Sequence, residues 1–559
     1  MNNKPGLLLG LICAAWAAQA VAWEARYNGT ANSVDAVTAI AVDNMGNCFV
    51  TGGVMNLLTG IDICTIAYNS SGSVLWRQIY DMESETDIAM DIEVDALGNV
   101  YVVGGGRSAT SQYDYLIIKY NSLGQQAYLT RLDSPQHGWD AAAALAVDAS
   151  GNVYVTGYYG GDSAFLSGSF GTARLNSEGQ LLWLASYDGP LPGYDGAYDM
   201  ALDPWGNVVV TGRSIADTIF VDDYDYATVA YSPSGEELWA ARYDGQGPVL
   251  AMIDQPEELC VDNFGYIYVT GIINGNWGTA DTCDITTIKY DSGGNEEWVA
   301  LFDGPAGSMD LAAAIAVDAG GNVYVTGTTT VIQDEETDYF IIKYNSSGQQ
   351  VWVNYYAGIS TAFCNNFARD MTLDQYGNIY VTGESYGPDP FLTGRDYDIA
   401  TLKYAPDGQQ QWVVRWVGPT GFEDGGSVIA VDSAGYVYVG GSSSGEGTSM
   451  DYITIRYDQD SLGIVESENP IPGEFRLFPV YPNPFNHTTT ITYQLPVASH
   501  VSLRIYDTAG RLVADLVNGM RAAGVHQVTW DASGMPSGLY FCRLQAGGFS
   551  EVTKLMLLK

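Results

Sequence analysis

The sequence predicts an all-β protein, and three observations predict it: a repeated phrase, four short strands in each repeat, and a match between the two ends of the repeat region. The phrase apolar-Asp-x-x-Gly-Asn-Val-Tyr-Val-Thr-Gly recurs eight times, as in Ala146–Gly157 and Ala316–Gly327. The mean spacing of about 56 residues is typical of propellers, solenoids and other arrays. The aspartates of the phrase are Asp43, Asp95, Asp148, Asp203, Asp262, Asp318, Asp374 and Asp432.

Each repeat contains four strand-like segments rich in Val, Ile, Tyr and Trp. In the sixth repeat they are Ala313–Asp318, Asn322–Gly327, Tyr339–Asn345 and Gln350–Tyr356. Asp-x-x-Gly joins the first two, because Asp caps a tight turn and Gly accepts the positive φ of such turns. The strands lack a clean alternation of apolar and polar residues, which suits a sheet covered on both faces, as a propeller blade is.

The ends of the repeat region favour a closed ring. The eighth repeat stops after its third strand, Asp451–Tyr457, while Trp23–Gly29 matches the fourth strand Trp239–Gly245 and has no first three strands before it. An N-terminal strand that completes the last blade removes two open sheet edges, whereas a solenoid would need polar capping repeats. The sequence therefore predicts an eight-bladed β-propeller over residues 23–462, closed by the N-terminal strand. The fourth strands carry an aromatic residue at Trp76, Tyr128, Trp183, Trp239, Trp298, Trp352 and Trp412.

Through this phrase and the later Ile-Lys-Tyr, the region from Trp23 to Tyr457 resembles the secreted bacterial β-propeller repeat family. Tyr266 and Tyr436 replace the Asn that follows Gly elsewhere. The resemblance implies an extracellular or surface setting and implies no single reaction.

Residues 1–22 have the features of a secretory signal peptide. Lys4 precedes an apolar run from Leu7 to Ala18, and Ala20, Val21 and Ala22 fit a cleavage site after Ala22. That run is too short to span a bilayer, and no later run reaches about 18 apolar residues, so we expect no transmembrane segment.

The formal net charge of the chain is −42, and residues 463–559 contain seven acids and seven bases, so the excess of acids lies in the predicted propeller. An acidic surface repels nucleic acid phosphates and anionic membranes and attracts cations. We therefore expect no nucleic acid partner. Solubility in a salty exterior is the simpler explanation of the charge.

A second domain is predicted after a linker at 463–474. Residues 475–559 contain short strands with turns every eight to twelve residues, which indicates a small immunoglobulin-like antiparallel sandwich. The set of motifs resembles the type A C-terminal sorting domain of the type IX secretion system. The resemblance implies the secretion machinery as a partner and passage through the periplasm to the cell surface or the medium; an ordinary immunoglobulin-like domain is the alternative. The motifs are Tyr481–Asn486, Thr489–Pro496, Val501–Val513, Ala522–Asp531, Ser537–Leu544 and Lys554–Lys559.

Catalytic motifs are scarce in the predicted propeller. Its one histidine is His137, and a lone loop histidine is more often solvated than catalytic. No phosphate-binding loop, dinucleotide fingerprint or paired-cysteine zinc pattern occurs. Six cysteines follow the signal peptide without metal spacing; Cys48 and Cys64 are either a disulfide or buried free thiols. Lysine or arginine recurs before the third-strand tyrosine, and we expect a structural role there, as charge partners within each blade.

Long, variable loops join strands two to three and four to one, on the face opposite the tight turns. Examples are Tyr158–Ser169, Ser214–Asp225 and Ser385–Asp396, and Trp277 lies in another. Binding concentrates on variable loops held by a rigid scaffold. We therefore expect a monomeric, non-enzymatic binding or structural propeller with an extracellular glycan or protein ligand. The alternative is an extracellular polysaccharide lyase or hydrolase that uses two loop carboxylates.

An acid opens the first strand of seven repeats, with Asn366 in the remaining place. First strands line a propeller axis, so the sequence predicts a ring of carboxylates at the mouth of the channel. Such a ring would suit Ca²⁺, which takes six to eight oxygen ligands. The alternative is that each acid caps a turn through backbone hydrogen bonds. These candidate metal ligands are Asp35, Asp87, Asp140, Asp195, Asp254, Asp310 and Asp424.

Overall fold

The computed structural model divides the chain into two compact units, Met1–Gly463 and Ile464–Lys559. Within the described residues there is no helix with the length and apolarity needed to span a bilayer. The structure describes residues 21–83, 85–108, 112–161, 167–191, 193–215, 223–245, 253–275, 283–332, 336–358, 365–387, 397–420, 422–445, 447–458, 475–477, 480, 482–495, 499–521, 524–546 and 548–558.

The first unit is all-β. Its strands are β1 Val21–Tyr27, β2 Ala36–Val42, β3 Cys48–Asn56, β4 Gly60–Tyr68, β5 Val74–Tyr80, β6 Asp87–Val94, β7 Val100–Gly106, β8 Asp114–Tyr120, β9 Gln126–Leu132, β10 Trp139–Val147, β11 Val153–Gly161, β12 Ser169–Leu175, β13 Leu181–Tyr187, β14 Gly196–Leu202, β15 Val208–Ile215, β16 Tyr224–Tyr231, β17 Glu237–Tyr243, β18 Ile253–Val261, β19 Ile267–Gly275, β20 Asp284–Tyr290, β21 Glu296–Phe302, β22 Asp310–Val317, β23 Val323–Ile332, β24 Glu336–Tyr344, β25 Gln350–Tyr356, β26 Asn366–Leu373, β27 Ile379–Tyr386, β28 Tyr397–Tyr404, β29 Gln410–Trp416, β30 Asp424–Val431, β31 Val437–Ser444 and β32 Met450–Tyr457.

From β2 onward, each four consecutive strands pair as an antiparallel meander, which we call a strand group, and such four-stranded sheets are consistent with a propeller. One parallel pair, Tyr224 with Ile253, links the groups β14–β17 and β18–β21 into a larger sheet. The group β30–β32 takes its fourth strand from the N-terminus, because β1 pairs antiparallel with β32, with Trp23 opposite Arg456. The sequence predicts this pairing.

The tight turns form as the sequence predicts. In the turn before β11, Asp148 Oδ1 accepts the backbone N–H groups of Ser150 at 2.8 Å and Asn152 at 2.9 Å, while Gly151 has a φ of 75°. The side chain thus supplies the acceptors that the reversed backbone needs, and glycine takes the left-handed conformation without steric cost.

Neighbouring strand groups pack face to face, and the apolar cores lie between them. The fourth-strand aromatic of one group lies on a turn glycine of the next, as Trp76 does on Gly124. The group that contains β1 repeats this contact with the group β2–β5, since Trp23 lies on Gly72 and its indole N–H donates to Ser70 O at 3.2 Å. The first strands contact one another in succession, and β30 contacts β2.

The second unit contains two sheets, β33-β34-β37 and β36-β35-β38-β39, around one apolar core that includes Ile491, Leu503 and Trp530. Its strand positions follow the predicted motifs to within a few residues. The strands are β33 Arg476–Leu477, β34 Thr488–Leu495, β35 Ser499–Asp507, β36 Leu512–Arg521, β37 Gly524–Asp531, β38 Gly538–Ala546 and β39 Phe549–Leu557.

Two boundaries differ from the predicted ones. The strand β22 begins at Asp310, three residues before the predicted Ala313, so the opening acid belongs to the strand. The strand β1 begins at Val21, so cleavage after Ala22 would leave Trp23–Tyr27 to pair with β32. Residues 1–20 and the predicted linker 463–474 lie outside the described residues.

Candidate functional site

The acids that open the first strands are buried and bind backbone N–H groups. Asp35 accepts from Gly29 at 2.6 Å and Met55 at 2.7 Å, and Asp195 accepts from Gly189 at 2.7 Å and Ile215 at 2.9 Å. Each of these carboxylates ties the loop after a fourth strand to the end of the next second strand. Backbone contacts of this kind are what the capping alternative predicts. Equivalent bonds reach Asp87 from Met82, Asp140 from Ser134 and Gly160, Asp254 from Gly245, Asp310 from Gly304, and Asp424 from Gly418.

Four of these acids belong to clusters of three carboxylates at the places where consecutive strand groups meet, which we call junctions. Each cluster combines an acid near the start of a third strand, an acid just after a fourth strand, and the acid that opens the next first strand. One oxygen from each member lies within 4.8 Å of the others. None of the four clusters joins two residues of the predicted calcium ring, which stays a prediction. The clusters are Asp62–Asp81–Asp87, Asp114–Asp133–Asp140, Asp225–Asp244–Asp254 and Asp284–Asp303–Asp310.

An arginine of the fourth strand neutralises some junctions. Arg131 donates through Nε to Asp114 Oδ2 at 3.1 Å, and Arg242 donates to Asp225 Oδ2 at 3.0 Å. Arg415 forms the same kind of ion pair, with one guanidinium nitrogen 2.7 Å from Asp398 Oδ2. Its junction, between β29 and β30, is not among the four described three-acid clusters. Because a guanidinium fork matches carboxylate geometry, each pair supplies a fixed internal cation.

Two clusters have an apolar residue where the arginine would lie, Ile79 in β5 and Leu301 in β21. In the first, burial and the charges of Asp81 and Asp62 raise the pKa of Asp87 to about 7. In the other, burial and the charge of Asp303 raise the pKa of Asp284 to about 6. Like charges brought together out of water resist simultaneous ionisation, so these clusters favour a proton or a metal ion.

A second set of acids, which the sequence analysis missed, bridges consecutive first strands. Asp91 Oδ2 accepts the backbone N–H of Leu145 at 2.9 Å, and Asp370 Oδ2 accepts that of Ile429 at 2.7 Å. Each lies four residues after the opening residue of its strand. An acid at this otherwise apolar position is the signal that could have revealed the set. Its members are Asp91, Asp199, Glu258 and Asp370.

Asp91 and Asp370 also line an opening of about 360 Å³ between the first strands β2, β6, β26 and β30, beside Arg369. Burial raises the pKa of Asp370 and of Asp199 to about 7. Burial, together with the charges of Asp199 and Asp370, raises the pKa of Glu258 well above its usual range. Carboxyl groups with such pKa values can exchange protons near neutral pH.

The repeated third-strand cations contact both their own strand group and the next one. Arg174 pairs with Asp148 of its own group at 3.5 Å, as expected, and further contacts reach the next group. Lys119 Nζ lies 4.8 Å from the ring centre of Tyr101 and donates to Ser177 O at 3.2 Å. Arg456, in the last group, donates to Ser70 O of the first at 2.6 Å. A ring face and a carbonyl both attract a cation, so these side chains stabilise the contact between groups.

The remaining candidates are structural or lie outside the described residues. His137 is exposed and pairs with Asp133 at 2.6 Å. Cys48 and Cys64 are free buried thiols, whereas Cys364 is not described. Of the predicted binding loops, residues 162–166, 216–222 and 388–396 are not described, and neither is Trp277.

The tight-turn face presents large apolar side chains that the sequence analysis also missed. They occupy the second position after the turn aspartate and are between 60% and 80% exposed. Because they share one position in equivalent turns, these side chains lie on the same face of the first unit. They are Met45, Leu97, Trp205, Phe264 and Tyr376.

The second unit matches a known family. Residues 479–558 match the secretion system C-terminal sorting domain. The chain carries this sorting domain. It indicates export by the type IX secretion system to the cell surface or the medium.

The relatives of this chain have low sequence identity to it. An uncharacterized WD repeat-containing protein of Acanthamoeba polyphaga mimivirus is 24% identical over 440 residues, or 65% of this chain. The chain spans only 30% of that protein. The structure is similar to PorZ, an essential surface component of the type IX secretion system of Porphyromonas gingivalis, at 14% identity, with 93% of this chain and 70% of PorZ covered and a TM-score of 0.36. It is also similar to an ulvan lyase, a polysaccharide lyase, at 10% identity, with 72% of this chain and all 100% of the lyase covered and a TM-score of 0.40.

Proposed function

We propose that the sorted protein is a closed eight-bladed propeller followed by an immunoglobulin-like sandwich, and that it acts outside the cell as a non-enzymatic binding or structural protein. The pairing of β1 with β32 and the contact of β30 with β2 support closure. The two sheets around one core support the sandwich. A closed ring gives a rigid support for exposed turns and loops.

The bonding of the buried acids carries the non-enzymatic assignment. In the described residues, Asp91, Asp199, Glu258 and Asp370 each accept a backbone N–H of the next first strand. An acid that holds two strands together in this way is not free to attack a substrate. The acids that open the first strands likewise accept backbone N–H groups.

The ligand class that the surface supports is an extracellular glycan. Trp205 is 60% exposed, Phe264 69% and Tyr376 75% on the tight-turn face. Flat aromatic faces offer apolar area with little loss of conformational entropy, which suits the apolar faces of sugar rings. This proposal moves the binding surface from the long loops to the opposite face.

The alternative is a polysaccharide-degrading enzyme, and one observation favours it. Asp91 and Asp370 line the opening between the first strands, and the pKa of Asp370 is raised to about 7. A general acid works best with a pKa near the operating pH.

A screen of the purified protein against polysaccharides, with retention and product release both scored, separates the two functions. We expect the protein to be retained by a polysaccharide without releasing products. Retention of W205A and Y376A should be weaker by at least about fivefold, since each stacked aromatic contributes about 1 kcal/mol. The control is L123A, which truncates another exposed side chain, 74% exposed, in a third-to-fourth-strand turn. Products that disappear in D370N would establish the enzyme instead.

A further inference from the structure

The junctions differ in whether an arginine neutralises the negative charge of their acids. Arg131 lies opposite Leu116 in the register of β8 and β9, two residues after Asp114. The same position in the preceding group is Ile79, opposite Cys64 and two residues after Asp62. The cluster Asp62–Asp81–Asp87 therefore keeps three acids where the cluster with Arg131 has three acids and a cation.

Two other junctions that lack the arginine have fewer acids, whereas the junction with Leu301 keeps all three. Between β25 and β26, Tyr355 takes the arginine position, and Ala357 and Asn366 replace two of the acids. Between β13 and β14, Ser186 takes that position, and Ser169 replaces the third-strand acid. The junction with Ile79, like the junction with Leu301, therefore keeps three acids without the arginine that balances them elsewhere.

Two buried oxygens of this cluster lack partners. The Asp62 side chain is 2% exposed; its Oδ2 accepts from Asn56 Nδ2 at 2.7 Å and Thr59 Oγ1 at 2.6 Å, whereas its Oδ1 has no partner. Asp87 is 0% exposed, and its Oδ1 is also without a hydrogen-bond partner. A buried carboxylate oxygen without a donor is costly and calls for a cation or a proton.

We propose that the Asp62–Asp81–Asp87 cluster binds one Ca²⁺ ion. Oxygens that bind one Ca²⁺ at 2.3–2.6 Å lie at most about 5 Å apart, and the cluster oxygens lie within 4.8 Å of one another. Asp81 is exposed, so water completes the six to eight ligands from the solvent side. The ion takes the place of the guanidinium that Arg131 supplies at the next junction.

The site differs from the predicted ring in where its ligands originate. The ring would take one carboxylate from each first strand, whereas this site takes Asp62 from β4, Asp81 from the loop after β5 and Asp87 from β6. It links two consecutive strand groups. Export places it where Ca²⁺ is abundant, and sites of extracellular modules bind with dissociation constants of about 10⁻⁴–10⁻³ M.

The test is calcium binding by the purified full-length protein after treatment with a chelator, measured by equilibrium dialysis and by melting with and without CaCl₂. Wild type binds calcium and melts at a higher temperature with it. Asp81→Asn binds one equivalent less, because it removes the exposed ligand without disturbing a strand. Ile79→Arg also loses one equivalent, since its guanidinium repeats the arrangement of Arg131 and Asp114.

The matched control is Asp133→Asn, which alters the equivalent position in the cluster that contains Arg131. Its calcium stoichiometry equals that of wild type. The proposal is overturned if wild type binds no calcium, if Asp133→Asn loses as much calcium as Asp81→Asn, or if folded Ile79→Arg keeps the full stoichiometry. If Ile79→Arg does not fold, the comparison of Asp81→Asn with Asp133→Asn decides.

Discussion

The strand group that combines β1 with β30–β32 and the internal group β6–β9 have the same pairing pattern but a different covalent structure. In the internal group, the four strands are consecutive in the chain, and tight turns connect β6 to β7 and β8 to β9. In the closing group, the fourth strand comes from the other end of the repeat region and is held by pairing with β32 and by side-chain contacts. Comparison of the two groups therefore separates the contribution of non-covalent contacts to stability from the contribution of the covalent connection between strands.

The contacts between groups are alike in the two cases. Trp76 of an internal group lies on Gly124, and Trp23 of the closing group lies on Gly72. The bridging acids are not distributed alike, because Asp370 joins β26 to β30, while Val428 takes the equivalent place in β30 and leaves the contact with β2 without one. Alanine takes the same place in β2, β10 and β22, so the closing group differs from the internal groups chiefly in that no turn connects β1 to β32.

Removal of residues 21–29 should have the largest effect. It exposes the edge of β32 and removes Trp23 and Tyr27 from the core between the last and first groups. We expect a loss comparable with the whole stability of a domain, about 5–15 kcal/mol, together with aggregation through the open edge. Cooperative melting at the wild-type temperature would refute the closure.

Gly72→Ala should have an intermediate effect. Gly72 has a φ of 82°, and an added Cβ would lie 2.6 Å from the Trp23 ring. Left-handed strain and overpacking together cost about 2–4 kcal/mol. Because no turn connects β1 to β32, we expect β1 to detach locally, so hydrogen exchange of the β1 amides accelerates at least about tenfold.

Two controls sharpen this prediction. Gly124→Ala makes the same clash with Trp76 of β5, a strand connected at both ends, and should destabilise without selective exchange in β5. Gly447 has a φ of 79°, and no atom lies within 4 Å of an added Cβ. Gly447→Ala therefore measures the cost of a left-handed backbone without a steric clash. Equal exchange of β1 and β5 in the first two variants would show that the missing connection between β1 and β32 does not matter.

The sequence predicts the repeats, the turns and the pairing of β1, because these depend on local patterns such as Asp148 with Gly151 and on the match of Trp23 with Trp239. It did not reveal the bridging acids, because their direction depends on a β-bulge. The register shifts between Ala89 and Asp91 and again between Ala368 and Asp370. A bulge re-aims the side chain that follows it, so the sequence shows the unusual acid but does not show that it reaches the next first strand.

The junction clusters were missed for a different reason. Each takes acids from a third strand, a loop and the next first strand, so its members are separated in sequence and belong to two repeats. The opening acids are visible in the sequence, but their repeat position predicts a ring around the axis. The register that places Ile79 or Arg131 beside a third-strand acid becomes visible only once the strands are paired.

The smallest expected effect concerns pH and the bridge from β26 to β30. Burial raises the pKa of Asp370 from its usual 3.8 to about 7 in the folded protein, so between these values the folded state holds a proton that the unfolded chain has lost. The contribution of Asp370 to stability is therefore greatest below about pH 4, falls as the pH rises to 7, and then levels off. Water in the opening screens the charge, so we expect about 1 kcal/mol from this residue.

Asp370→Asn removes the titrating group while it retains one acceptor oxygen for Ile429. Its fall in melting temperature from pH 5 to pH 8 should be smaller than that of wild type. The exposed turn variant Asp407→Asn should keep the wild-type fall. A wild-type slope in Asp370→Asn would mean that Asp370 is ionised throughout this range, and the bridge into the closing group would then be an ordinary charged hydrogen bond to Ile429.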